Sequence, residues 1–160
     1  MAKYIATISW SRDGQAFINS KYNRTHKWEF DSGQTIKASA SPNIVPTPLS
    51  DPSAVDPEEA FIAALSSWHM LWFLSIAAEA GFIVEKYVDK ATGILSKDEH
   101  GNQAITKVTL FPHVTYIIDG VPSPEEHHNM HEHADKKCFI SNSVKTKMEI
   151  ESSISSKSVS

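Results

Sequence analysis

Residues 56–81 read DPEEAFIAALSSWHMLWFLSIAAEAG, and this stretch decides the fold. Asp56 can cap a helix, Pro57 fits the first helical position, and Glu59 can close a capping box by reaching back to the cap. Gly81 suits a helix end, because glycine adopts a left-handed backbone without strain. The stretch therefore predicts one long helix that begins at Pro57 and ends just before Gly81.

This helix is apolar on nearly every face, which is typical either of a core helix or of a membrane span. No basic cluster flanks it, and polar residues interrupt it at Ser66, Ser67, His69, Ser75 and Glu79. We therefore expect a core helix and no membrane partner. Since a single small sheet covers only one side of such a helix, we expect a homodimer that buries the rest.

The segments before the helix alternate in the manner of β-strands. A hairpin turn at Asp13-Gly14 is expected to join strands within residues 3–10 and 15–19. A second pair of strands is predicted at residues 27–30 and 34–38. The Pro/Ser-rich residues 39–53 follow as a long loop, and long ordered loops in compact domains are often functional.

Beyond the helix, residues 87–96 and 104–118 are predicted to form two β segments around a turn at His100-Gly101-Asn102. Ser123-Pro124-Glu125-Glu126 repeats the capping pattern and predicts a second helix. This helix is expected to end near Lys137.

The chain is expected to return to a strand at the end of residues 141–150. This order of strands and helices indicates an α+β fold. We predict a single domain over residues 1–151 and a disordered, serine-rich tail over residues 152–160.

Composition excludes several classes of protein. A net charge of −4 over 160 residues has no polyelectrolyte character, so nucleic acid is not an expected partner. Cys138 is the only cysteine, which rules out an intramolecular disulfide and a cysteine-based zinc site. No apolar run follows Lys3, so we expect no signal peptide and a cytoplasmic location.

Three segments together resemble the OsmC/Ohr family of thiol-dependent hydroperoxide reductases. They are the start of the long helix, residues 56–67, its exit, residues 77–82, and residues 138–145, which begin Cys-Phe-Ile-Ser. Their order matches as well, so the resemblance covers residues 1–151. It implies an OsmC-like fold in which two chains intertwine as a homodimer, with the long helices packed against sheets from both chains.

The resemblance also implies a thiol site at the dimer interface. The first, peroxidatic cysteine is expected ten residues after Glu58, where this chain has Trp68, and Cys138 matches the second, resolving cysteine. An arginine from the N-terminal strands is expected to pair with Glu58. Arg24 fits this role best, because residues 22–28 resemble a Tyr-Ser-Arg-x-His-x-Trp pattern of one subgroup, and Arg12 is the alternative.

Two-cysteine peroxide reduction needs a thiolate that attacks the O–O bond and a second thiol that condenses with the resulting sulfenic acid. An external dithiol then restores the pair. In this chain the attacking thiol is absent, because Trp68 stands at its position. The resemblance therefore implies a hydroperoxide reductase or stress-response protein that is impaired or works with one cysteine.

Three interpretations stay open. Cys138 acts alone, activated by a nearby helix end and by His131 or His133. Alternatively, the chain is a non-catalytic homodimer that binds an apolar or electrophilic small molecule, or Trp68 is an altered position in an ordinary two-cysteine enzyme. The candidate substrate pocket consists of Phe61, His69 and Trp72, with Trp68, Met70 and Phe73 beside them.

His127 and His131 lie four residues apart in the second predicted helix, a spacing that places both rings on one face, as zinc sites require. A third ligand such as His133, Asp135 or Cys138 would be needed. The alternative is a solvated helix face that is rich in histidine. We expect no metal and no other cofactor, and we keep His127 and His131 as the candidates for a metal site.

Overall fold

The computed structural model describes residues 1–158. The chain divides after Ala60 into two compact units. The first unit contains one three-stranded sheet, and the second contains two further three-stranded sheets. The α+β class predicted from the sequence is confirmed. The single domain over residues 1–151 stays a prediction.

The first unit holds an antiparallel sheet of β1 (Ala6–Ser9), β2 (His26–Phe30) and β3 (Thr35–Ala38). β1 pairs with β2, so the strand predicted at residues 15–19 is wrong. Asp13-Gly14 does turn the chain, with φ angles of 46° and 78°. The chain then enters a 3-10 turn at Ile18–Ser20, where the φ of 62° at Asn19 is incompatible with a strand.

The second unit holds six strands in two sheets. One sheet has the order β4–β7–β9 and the other β5–β6–β8. In each sheet the central strand pairs antiparallel with the earlier strand and parallel with the later one. The strands are β4 (Val84–Asp89), β5 (Thr92–Lys97), β6 (Gln103–Leu110), β7 (Pro112–Ile117), β8 (Lys147–Ile150) and β9 (Ser153–Lys157).

The two β segments predicted after the long helix are in fact four strands. The chain leaves β4 and enters β5 after Asp89, and it leaves β6 and enters β7 at Phe111. Asp89 fixes this second break, because its Oδ1 accepts a hydrogen bond of 2.7 Å from the Phe111 backbone N–H. The strand expected at the end of residues 141–150 is confirmed as β8.

The disordered tail predicted over residues 152–160 is wrong for Ser153–Lys157. This segment is β9, which pairs in parallel with β7. Ile154 packs against the core around Phe73, and the flanking Ser153 and Ser155 bond through their hydroxyls to His113 on β7. Residues 159 and 160 belonged to the same prediction and lie outside the described residues.

The long helix α1 (Pro57–Glu79) begins and ends as predicted. The Asp56 carboxylate accepts the Glu59 N–H at 2.7 Å, and Glu59 Oε2 accepts the Asp56 N–H at 3.4 Å, so the capping box is present. Gly81 has a φ of 84°, and the Phe82 N–H donates to the Ala77 carbonyl at 2.9 Å. These bonds satisfy the last carbonyls of the helix.

A single stripe of α1 is buried in the chain, namely Leu65, His69, Phe73, Ile76 and Ala77. Leu71, on another face, is 49% exposed. Phe73 lies in one core cluster with β7 and the second helix, and Leu65 lies in another with β6. By length and composition α1 could also cross a membrane, a test that core helices of soluble proteins pass as well.

The second helix, α2 (Pro124–Lys137), begins at the predicted capping box. The Ser123 hydroxyl accepts the Glu126 N–H at 3.2 Å, and the Glu126 carboxylate accepts the Ser123 N–H at 2.8 Å. The bonds from Ser123 hold the pKa of the Glu126 carboxyl below its usual value. Met130 and Ala134 join the core around Phe73, so α2 packs on the same cluster as the middle of α1.

Candidate functional site

Cys138 caps the C-terminal end of α2 and is almost fully buried, with 1% of its surface exposed. Its Sγ accepts a hydrogen bond of 3.4 Å from the Ser141 N–H. Cys138 therefore lies at the C-terminal end of α2, whereas a helix activates a thiol at its N-terminal end.

The histidines expected beside the thiol have other roles. His131 bonds to His69 in the core, and His133 is exposed on α2. Among residues 1–158, Cys138 Sγ has no hydrogen bond with any imidazole. Cys138 is therefore a buried residue whose sulfur bonds to a backbone N–H rather than to a histidine.

Trp68, Trp72 and Phe139 form an aromatic cluster next to this thiol. The Phe139 ring meets the Trp68 ring edge-on at 5.1 Å between centroids and the Trp72 ring at 5.8 Å. Phe139 follows Cys138 directly in the sequence. Trp68, at the position expected for the peroxidatic cysteine, therefore contacts the residue next to the expected resolving cysteine. Phe139 is 57% exposed, and the Lys137 ammonium lies 4.9 Å from the centre of the Trp72 ring.

Arg24 does not form the ion pair that the resemblance implies. Its Nη1 donates to the Ser20 carbonyl at 2.6 Å and to the Tyr22 carbonyl, and its guanidinium lies 3.9 Å above the Tyr22 ring. Within the described chain, Glu58 has no arginine within ion-pair distance. Arg24 instead lines a shallow groove of about 350 Å³ with Ile8, Trp10, Tyr22, His26, Ala40 and Pro57.

Arg12, the alternative arginine, is an exposed turn residue. Its Nη1 donates to the Gln15 carbonyl at 2.8 Å, and the Gln15 N–H donates back to the Arg12 carbonyl at 2.9 Å. These bonds account for Arg12 as a clamp on the turn at Asp13-Gly14. Neither arginine therefore meets Glu58 within one chain.

The three residues of the expected substrate pocket lie in three different places. Phe61 lines an open cavity of about 620 Å³. Trp72 belongs to the aromatic cluster, and His69 is buried against α2. The remaining residues of that cavity are Asp98, Glu99, His100, Ala104, Ile105, Thr106, Val144, Lys145 and Thr146.

His69, His127 and His131 form a buried histidine network between the two helices. His69 Nε2 and His131 Nδ1 are 2.9 Å apart, and His127 Nδ1 lies 2.9 Å from the Tyr116 hydroxyl. The Phe73 ring packs against two of them, stacked on His131 at 4.1 Å and edge-on to His127 at 5.6 Å. Burial is the main cause that lowers the pKa of all three, to about 4 at His127.

The solvated face expected at His127 and His131 is therefore wrong, because both rings point into the core. It holds for His128, whose Nε2 faces the exposed Glu132 carboxylate at 3.5 Å. Across residues 1–158, no three His, Cys, Asp or Glu side chains are placed to hold a metal ion. The sequence does not single out Tyr116 or Phe139 as site residues, and the apolar–polar alternation in β7 is the only signal for Tyr116.

Comparisons with known proteins give one consistent family. The family model described as OsmC-like protein matches residues 50–153. A structure of an OsmC-like protein of unknown function from Vibrio cholerae is 49% identical, covers 96% of this chain and 100% of its own, and superposes with a TM-score of 0.93. A comparison with curated proteins gave no match.

More distant structures share the fold. An OsmC-like protein from Mycoplasma pneumoniae is 15% identical, with 96% and 98% of the two chains covered and a TM-score of 0.73. An organic hydroperoxide resistance protein from Elizabethkingia anophelis is also 15% identical, with 98% of both chains covered and a TM-score of 0.68. The family match and the Vibrio relative together show that the chain belongs to the OsmC-like family.

Proposed function

We propose that this protein is a hydroperoxide stress-response member of the OsmC-like family that lacks the two-cysteine cycle and retains Cys138 as its single redox thiol. The observation that carries the proposal is the contact between Trp68 and Phe139, 5.1 Å between ring centroids. It supports a shared site in which an indole stands where the family resemblance expects the attacking thiol.

The chain's own residues set the limit on its chemistry. One cysteine in 160 residues cannot form a disulfide within a chain, and indole is not a nucleophile toward peroxide oxygen. The absence of an Arg24–Glu58 pair removes a second element of the expected site from the single chain. Slow turnover or none is therefore the expected state of the native protein.

A one-cysteine reaction at Cys138 requires an external thiol as the reductant. The thiolate takes the distal oxygen of the hydroperoxide, the O–O bond breaks, and the alkoxide leaves and is protonated to the alcohol. Two external thiols, or one dithiol, then reduce the sulfenic acid to the thiol with release of water and a disulfide. Burial of Cys138 limits the first step, because the peroxide must reach a sulfur that is 1% exposed.

Peroxide consumption tests the proposal. Cumene hydroperoxide and dithiothreitol are supplied to the native protein, Trp68→Cys, Cys138→Ser and the double variant. We expect Trp68→Cys to raise turnover at least about 100-fold, on the scale that a missing catalytic group costs. The double variant lacks the resolving thiol, so it should form no intrachain disulfide and should depend on direct reduction of its sulfenic acid by dithiothreitol.

Residual native activity should disappear in Cys138→Ser if the one-cysteine route operates. Native turnover as fast as that of Trp68→Cys would contradict the proposal. Activity that survives Cys138→Ser would also contradict it, because no other thiol exists in the chain.

The aromatic cluster favours a second candidate function, binding of a small apolar molecule without turnover. Two indoles one helical turn apart, with the exposed Phe139 edge-on to both, offer a surface for a flat apolar ligand. Tryptophan fluorescence titrated with cumyl alcohol, the product of the assay above, separates the two candidates. Saturable quenching that Phe139→Ala removes, in a protein with no peroxide turnover, would favour binding.

We also propose a homodimer, in a cytoplasmic setting. Leu71 on α1 and Ile94 and Leu95 on β5 are large apolar side chains that are 46–49% exposed in one chain. A second copy of α1 would cover the apolar face that a single chain leaves open. Light scattering after size exclusion should give twice the chain mass of 17.8 kDa, and a stable monomer would contradict this.

A further inference from the structure

The histidine network leaves buried polar atoms without partners. His69 Nδ1, His127 Nε2 and His131 Nε2 are buried and make no hydrogen bond within residues 1–158. Buried polar atoms are almost always paired, because an unpaired one costs free energy. A proton added to this network would therefore enter a site with few groups to stabilise it.

The charged and titratable groups that face the network come from four elements. α1 supplies His69 itself, β4 supplies Tyr87 and Asp89, β7 supplies Tyr116, and α2 supplies His127, His128, His131 and Asp135. Asp89 and Asp135 favour a charged His69, whereas His128 opposes a charge on His127 and on His131. Burial outweighs the two carboxylates, so the closed network favours neutral rings.

The histidine network also contacts the helix that carries the thiol. It holds the middle of α2, and the same helix ends at Cys138. Ser141, which donates its N–H to the sulfur, also donates its hydroxyl to Asp135 of α2 at 3.1 Å. The closed environment of Cys138 therefore depends on α2 keeping its position.

We propose that the buried network of His69, His127 and His131 is an acid-sensitive latch, in which protonation loosens α2 from α1 and β7 and opens the Cys138 thiol to solvent. A ring on an opened α2 is hydrated and holds a proton as free histidine does. Acid therefore favours the open form, and neutral pH closes the latch. This proposal does not depend on peroxide chemistry, because it concerns access to the sulfur alone.

Thiol labelling measures the latch directly. The protection of Cys138 is the rate at which 4,4′-dithiodipyridine labels the protein unfolded in guanidinium chloride, divided by the rate at which it labels the native protein. This ratio removes the intrinsic pH dependence of the labelling reaction. With a pKa near 4 at His127 when closed and 6.5 when open, the opening equilibrium shifts roughly 30-fold at about pH 5. Protection of Cys138 should fall at least about tenfold between about pH 7.5 and about pH 5.

Matched variants assign the effect to the network. His127→Gln combined with His131→Gln removes two of the three titrating rings and should make the fall in protection clearly smaller, with His69 as the remaining ring. His133→Gln changes an exposed histidine of the same helix and should retain the native fall. A fall that persists unchanged in the double variant, or that is absent from the native protein, would overturn the proposal.

A second measurement does not rely on a variant that folds. Amide hydrogen exchange of the native protein at about pH 5 should show the α2 amides losing protection ahead of the α1 amides. Uniform loss across both helices, together with loss of the helical circular dichroism, would mean global unfolding. That result would overturn the latch.

Discussion

The two helices of the second unit meet at Phe73 but differ in what they bury and what they leave open. α1 is apolar on most faces, yet a single chain covers only the stripe from Leu65 to Ala77. α2 is polar outside, yet it directs two histidines into the core. Under the proposed function, each helix carries one half of the thiol site. Trp68 of α1 stands where the family resemblance expects the attacking cysteine, and α2 ends at Cys138.

The largest expected effect tests the buried stripe of α1. Phe73→Ala should lower the free energy of unfolding by about 3–5 kcal/mol, because it leaves a cavity beneath His131. Leu71→Ala, two residues away on an open face, should cost less than about 1 kcal/mol in a monomer. Urea unfolding of both variants measures the contrast.

The Leu71 result also sharpens the comparison of the helices. A cost of about 2 kcal/mol or more at Leu71, together with weaker self-association, would mean that a second copy covers this face of α1. Equal losses at Phe73 and Leu71 in a monomer would contradict the one-sided burial of α1.

The same comparison shows what the sequence predicts well. The capping residues Asp56, Glu59 and Ser123 depend on neighbours three residues away, so local chemistry is enough to place both helix starts. The resemblance to the OsmC/Ohr family, seen in the sequence alone, rests on the same region of α1 together with the segment that begins at Cys138. Local signals of this kind can be interpreted from the sequence without knowledge of the rest of the fold.

The histidines could not be predicted in this way. A helix face with His127 and His131 reads as solvated, because only the tertiary structure supplies Tyr116 and His69 as partners. The Arg24–Glu58 pair failed for a related reason: nearby backbone carbonyls satisfy the guanidinium in the single chain. Neutral, hydrogen-bonded imidazoles are acceptable in a core, and pattern alone does not distinguish them from surface residues.

A smaller effect is expected from pH on the whole protein. The folded network lowers the pKa of its histidines below 6.5, so the unfolded chain binds more protons as the solution becomes acidic. The stability from the neutral network is complete above about pH 6.5 and is lost as the pH falls toward about 4. We expect a loss of about 1–3 kcal/mol between about pH 6.5 and about pH 4.5.

Urea unfolding across this range measures the slope. The variant with His127→Gln and His131→Gln should show a shallower slope, whereas His133→Gln should match the native protein. An equal pH dependence of stability in the native protein and both variants would mean that the acid sensitivity arises outside the histidines of α2. The two helices would then not differ in this respect.

If residue 68 of α1 stands at the position of the partner thiol of Cys138, a cysteine placed there should form a disulfide with Cys138. Trp68→Cys protein is treated with one equivalent of cumene hydroperoxide, and its mass and free thiols are measured. We expect an intrachain disulfide, seen as a mass lower by two hydrogens and as the loss of both free thiols. Ser67→Cys, at the neighbouring exposed position, serves as the control and should form none. Failure of Trp68→Cys to form this disulfide, or equal formation in both variants, would contradict the proposed pairing of residue 68 with Cys138.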